Sequence, residues 1–81
     1  MAKFKYLMDD AKAVLEVKRA LSGKAAILKD HGNVLTVGAP MMTVTVKIKN
    51  GIVETSGSAF GKALIGTVDS AIEIAGGFTR V

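Results

Sequence analysis

Asn50-Gly51, set between two runs of alternating apolar and polar residues, is the feature that most narrows what this chain can fold into. Val44, Val46 and Ile48 alternate with Thr43, Thr45, Lys47 and Lys49, the period of a strand with one buried face. Asn-Gly then supplies the two positive-φ residues of a type I′ turn, whose twist matches that of the flanking strands. A returning strand from Ile52 to about Ser56 follows. In that register Ile48 lies opposite Val53, and Lys47 opposite Glu54 as a cross-strand pair of opposite charge. The alternation and the turn specify the same register, so this hairpin organises the rest of the reading.

Two further strands precede it. Lys24 to Asp30 and Asn33 to Val37 join at His31-Gly32; as a two-residue turn this sets Leu28 opposite Leu35 and Ala26 opposite Val37. Gly38-Ala39-Pro40 ends the second strand, because proline has no ladder amide. Met41-Met42 enters the next strand and is expected to fill a gap in the core; with Met1 and Met8 these residues form no stripe. A short strand over Lys3 to Leu7 opens the chain.

Helical spacing covers two segments. From Asp9 to Ser22, Ala13, Val14, Val17, Ala20 and Leu21 form an apolar stripe, with Asp9 or Asp10 as cap and Gly23 as terminator. From Ser58 to about Ile74, Phe60, Leu64, Val68, Ala71, Ile72 and Ala75 form another, with Ser58 as cap. Lys62, Gly66, Asp69, Ser70 and Glu73 are its polar side, and Gly76-Gly77 ends it. Phe78 and Val81 of the tail can dock on a neighbouring element.

The expected fold is therefore α+β, in the order β-α-β-β-β-β-α. An antiparallel sheet of four or five strands forms a meander, with two helices on one face. The covered face holds Leu28, Leu35, Val37, Val44, Val46, Ile48 and Val53. The other carries Ile27, Val34, Thr36, Thr43, Thr45, Lys47, Lys49, Ile52 and Glu54. At 81 residues the chain is one domain, without linker or repeat.

Composition removes several classes of function. With no cysteine there is no disulfide framework, thiol nucleophile or cysteine metal site. One histidine excludes a histidine cluster, and no tryptophan with a single tyrosine, Tyr6, leaves little material for a stacking platform for bases. The stretch from Ala59 to Phe78 is the most apolar, but it contains Lys62, Asp69 and Glu73 and is not read as a membrane span. No signal peptide is recognised, and the expected location is the cytoplasm.

Each motif that could carry chemistry has a structural reading beside it. Gly57-Ser58-Ala59-Phe60-Gly61-Lys62-Ala63 resembles a phosphate loop in context, and Lys62 could add charge to an anion there. Its glycine spacing is one residue short of the Walker pattern, and Ala63 offers no hydroxyl to magnesium. It reads as a turn and helix cap. Asp30-His31 reads as a polar turn, and Asp69 with Glu73 as a solvated helix face rather than a metal site. Catalytic residues, a cofactor and a metal are all expected to be absent.

The expected function is a non-enzymatic binding or assembly module. A mean hydropathy of +0.38 is high for so short a chain and suggests self-association through a free sheet face or an edge strand. Ile27, Val34, Thr43, Thr45 and Ile52 are the candidate interface residues, for a second copy or another protein. The alternative is anion or nucleic-acid binding through Lys47, Lys49 and Lys62, joined by Lys3, Lys5, Lys24 and Lys29 if the strand order brings them to the same side. The net charge of +4 permits this. An apolar ligand between helices and sheet is a third reading.

Overall fold

The computed structural model describes residues 2–81. Met1, among the methionines considered above, lies outside the described residues. The elements are β1 (Ala2–Lys5), α1 (Asp10–Leu21), β2 (Ile27–Asp30), β3 (Val34–Ala39), β4 (Met42–Lys49), β5 (Ile52–Gly57), α2 (Lys62–Ile74) and β6 (Thr79–Arg80). They form a six-stranded antiparallel sheet in the order β2-β3-β4-β5-β1-β6. The class and the two-helix layer are as the patterning predicts. The strand count is higher because the tail after α2 is itself a strand. Thr79 and Arg80 pair with Lys5 and Phe4, and Phe78 is buried.

The β4–β5 hairpin has the expected register, Ile48 opposite Val53 and Lys47 opposite Glu54. Asn50 and Gly51 take φ of 53° and 81°, as a type I′ turn requires. Asp10 locks this turn to α1. Its carboxylate accepts the Asn50 N–H at 3.0 Å, the Gly51 N–H at 3.4 Å and the Tyr6 hydroxyl at 2.6 Å. Asp9 takes the N-cap position of α1 without a side-chain bond.

Those bonds hold the Asp10 carboxyl below the ordinary carboxylate range, the Tyr6 hydroxyl first and the Asn50 amide next. Tyr6 moves the other way: burial, then the bond to Asp10, pushes its pKa up to about 12. Its folded value exceeds its unfolded one, so its contribution to stability is complete below pH 10 and is lost as pH rises from 10 through 12. As the only tyrosine, Tyr6 reports alone in tyrosinate absorbance. The folded protein should ionise near pH 12, and Asp10→Ala should lower that midpoint. A midpoint at the ordinary value of 10 in the folded protein would contradict the packing of Tyr6.

One side of the sheet is closed by the helices. Leu35, Val37, Val44, Val46, Ile48, Val53 and Phe4 are fully buried there against Val17, Leu21, Val68 and Ile72. Several expectations fail at the margins of this core. The β2–β3 connection is not a two-residue turn. His31 N–H donates to the Val34 carbonyl, and Asp30 pairs with Leu35. A bulge between Ile27 and Lys29 then places Ile27 opposite Val37. Ile27 thus belongs to the helix side, and Leu28, expected in the core, is 42% exposed.

Helix α2 begins at Lys62 rather than Ser58. Ser58 heads a separate turn, its Oγ accepting the N–H groups of Gly61 and Thr43. Phe60 consequently lies before the helix and is 65% exposed rather than on its apolar stripe. Asp69, expected on the polar side, is only 8% exposed and accepts the Thr55 hydroxyl at 2.6 Å. Pro40 and Met41 form the two-residue β3–β4 turn, since Ala39 pairs with Met42. Met41 and Met42 are exposed instead of filling the core, and Met41 has a φ of 109°.

Candidate functional site

The side of the sheet away from the helices is uncovered, and pairing aligns its residues in rows. One row, across β2 to β5, is Lys29–Thr36–Thr45–Ser56. The next, across β3, β4, β5 and β1, is Val34–Lys47–Glu54–Lys3. The third, across β4, β5, β1 and β6, is Lys49–Ile52–Lys5–Thr79. Directly opposed residues in an antiparallel ladder share a face, so each row lies on this side. Lys3, Lys5, Lys29, Lys47 and Lys49 are exposed there, against one carboxylate, that of Glu54.

Glu54 lies opposite Lys47, but its ion pair is with Lys3, at 3.7 Å. Among the described residues, Lys5, Lys29, Lys47 and Lys49 make no ion pair. Their charges are thus left to solvent or to a ligand. Lys47 and Lys49 rise from the same strand about 7 Å apart, and Lys47 and Lys3 are two strands, about 10 Å, apart. Beside Lys47 and Lys49 is a shallow depression of about 230 Å³, also lined by Asn50, Ile52 and Glu54. The half-buried hydroxyls of Thr36, Thr43, Thr45 and Ser56 supply hydrogen-bonding groups beside the ammonium groups.

Of the expected interface residues, Val34, Thr43, Thr45 and Ile52 lie on this face, half-buried, and Ile27 does not. Lys3, Lys5 and Lys29 join Lys47 and Lys49, because β1 inserts beside β5 and Lys29, past the β2 bulge, pairs with Thr36 on this face. Lys62 does not join them. It starts α2, on the other side of the sheet. Lys24 lies beyond α1 and lines a cavity with Ala25, Ala26 and Leu64.

The glycine-lysine segment is not an open anion cradle. The Ser58 N–H already donates to the Thr43 carbonyl, and the Gly61 N–H is taken by Ser58. Asp30 accepts the Gly32 N–H at 3.1 Å and pairs with Lys18, whose ammonium first and that amide next hold its carboxyl below the usual range. This is the bonding of a polar turn rather than of an acid orienting His31. Glu73 pairs with Arg80, and Asp69 with Thr55. Among the described residues no group of three or more His, Asp or Glu side chains is placed to hold a metal ion, and no helix is long and apolar enough to cross a membrane.

The chain was compared with protein-family models, with curated proteins and with solved structures, and none of them matches it.

Proposed function

We propose that the protein is a non-enzymatic binding module whose uncovered sheet face takes a polyanion, the phosphodiester backbone of nucleic acid. The observation that carries this reading is the set Lys3, Lys5, Lys29, Lys47 and Lys49 on one face, where Glu54 has the only carboxylate side chain among the described residues. Lysine is a point charge suited to phosphate, and binding is driven by counterion release. The face has neither arginine to read base edges nor an aromatic ring to stack on bases. Recognition is thus of the backbone, without base preference.

The same arrangement ranks self-association through this face lower. Two copies stacked face to face would set lysine against lysine. The sheet edges are also poor templates for a second copy: β2 is bulged and β6 has only two residues.

Anisotropy of a labelled oligonucleotide as salt is raised tests the proposal. Four to five lysine contacts to a single strand give a log–log salt slope of about −3. The double variant Lys47→Glu/Lys49→Glu should weaken binding more than about tenfold. Lys12→Glu/Lys62→Glu makes the same change in net charge on the helix side and should have a much smaller effect. Equal loss in both variants, or no salt-sensitive binding, would refute the assignment.

A further inference from the structure

A second surface lies at the β3–β4 turn, at the opposite end of β4 from the Asn50-Gly51 turn. Met41 is 78% exposed at its tip, Met42 follows it in β4, and the exposed Phe60 lies two residues after Ser58, whose N–H donates to the Thr43 carbonyl. That bond, and Leu64 reaching Gly38, fix the α2 approach to this end of the sheet. Met41, Met42 and Phe60 thus put apolar surface at one end, the material of a contact surface, while Leu7, Leu15, Ile74 and Val81 are exposed singly elsewhere.

Two observations select the occupant. Residues 24–28, 38–42 and 58–64, which build this end, contain Lys24 and Lys62 and no aspartate or glutamate. An apolar tip flanked by two lysines and no carboxylate complements an anionic lipid surface, into which Met and Phe insert while lysines meet the headgroups. A second copy would instead bring lysine to lysine. The backbone at the tip is also costly. The second central residue of a turn begun by proline takes positive φ and is ordinarily glycine or asparagine, yet here it is Met41, at 109°. Glycine would relax the turn but offer nothing to insert. We infer that the Met41–Phe60 end docks on the surface of an anionic membrane.

The inference is independent of the lysine face and uses a different probe. In sedimentation with vesicles, the protein should bind phosphatidylcholine mixed with phosphatidylserine and bind phosphatidylcholine alone at least about fivefold more weakly, the effect of losing about one lysine–headgroup attraction. Phe60→Asp and Met41→Gly should each reduce binding to the mixed vesicles. Met41→Gly relieves backbone strain, so its loss of binding cannot come from unfolding. Lys47→Glu/Lys49→Glu should leave most vesicle binding intact. Failure to bind the mixed vesicles would overturn the inference, as would binding that survives both Phe60→Asp and Met41→Gly or is lost only with Lys47 and Lys49. So would a dimer that forms without lipid and is broken by Phe60→Asp, which would give this end to a second copy.

Discussion

Replacing Gly61 with alanine is expected to cost about 3 kcal/mol or more, the upper range for forcing atoms into a packed site. The cause is not backbone conformation, since Gly61 sits at φ −79° and ψ −7°, where any residue is comfortable. It is space. A Cβ at this position would overlap the Thr43 carbonyl oxygen and lie 2.9 Å from its carbon. That oxygen is bonded to Ser58 N–H, and Ser58 Oγ accepts the Gly61 N–H in return. Moving the chain apart would break the clasp that seats α2 on β4. For a domain of this size total stability is on the order of 4–12 kcal/mol, so the loss is a large fraction. Gly66 is the internal control: it lies within α2 with nothing inside 4 Å of an added Cβ. Gly66→Ala should stabilise by about 1 kcal/mol through helix propensity. Denaturant midpoints should move in opposite directions for the two variants; a loss at both or a gain at both would mean that the contact at Gly61 is misplaced.

Thr55→Val is expected to cost about 2–4 kcal/mol although it preserves shape. Thr55 stands in the helix-facing row between Ala2 and Val46, where an apolar residue would fit. Its hydroxyl donates to the buried Asp69 carboxylate at 2.6 Å and accepts the Ala2 N–H at 3.3 Å. Valine would leave that carboxylate without its donor. Thr55→Ser keeps the donor, loses one methyl group and should cost about 1 kcal/mol. Combining Thr55→Val with Asp69→Leu should recover part of the loss, because both polar partners are then removed. Denaturation of the wild type, Thr55→Val, Asp69→Leu and the double variant measures this coupling. Thr55→Val no worse than Thr55→Ser would show that the pair contributes little.

The central hairpin was legible because three local signals agreed: alternation, Asn-Gly, and the opposition of Lys47 to Glu54. Both helices were legible in extent to within a few residues. What failed depended on contacts distant in sequence or on a single added residue. One bulge at Leu28 was enough to move Ile27 to the helix side while Lys29 stayed outward, since side chains alternate with period two. Asp69 falls on the polar stripe of a helical wheel, and only Thr55, fourteen positions away, makes its burial tolerable. Phe60 and Met41 are apolar residues that composition assigns to a core. Pro40, which forces a turn at that point, was the one available sign that Met41 stands at a tip.

The lysine face was half legible. Lys47 and Lys49 could be placed on one face from β4 alone. Lys3 and Lys5 required the insertion of β1 between β5 and β6, an outcome of how α1 and α2 carry the chain across the sheet. Periodicity within a strand does not encode that order. Lys62 shows the converse: its glycine-lysine motif has the context of a phosphate loop, yet the sheet stands between it and the lysines of the uncovered face.

The threonines offer the most direct test of the proposed nucleic-acid face. Thr36, Thr45 and Thr79 lie in the lysine rows, whereas Thr55 is buried beneath the helices and Thr67 is exposed on α2. Their methyl resonances can be followed while a short oligonucleotide is added at low salt. The proposal predicts shifts at Thr36, Thr45 and Thr79 that reverse with salt, with Thr55 and Thr67 unmoved. Movement of Thr67 with the sheet threonines unchanged, or no movement at any of them, would contradict it.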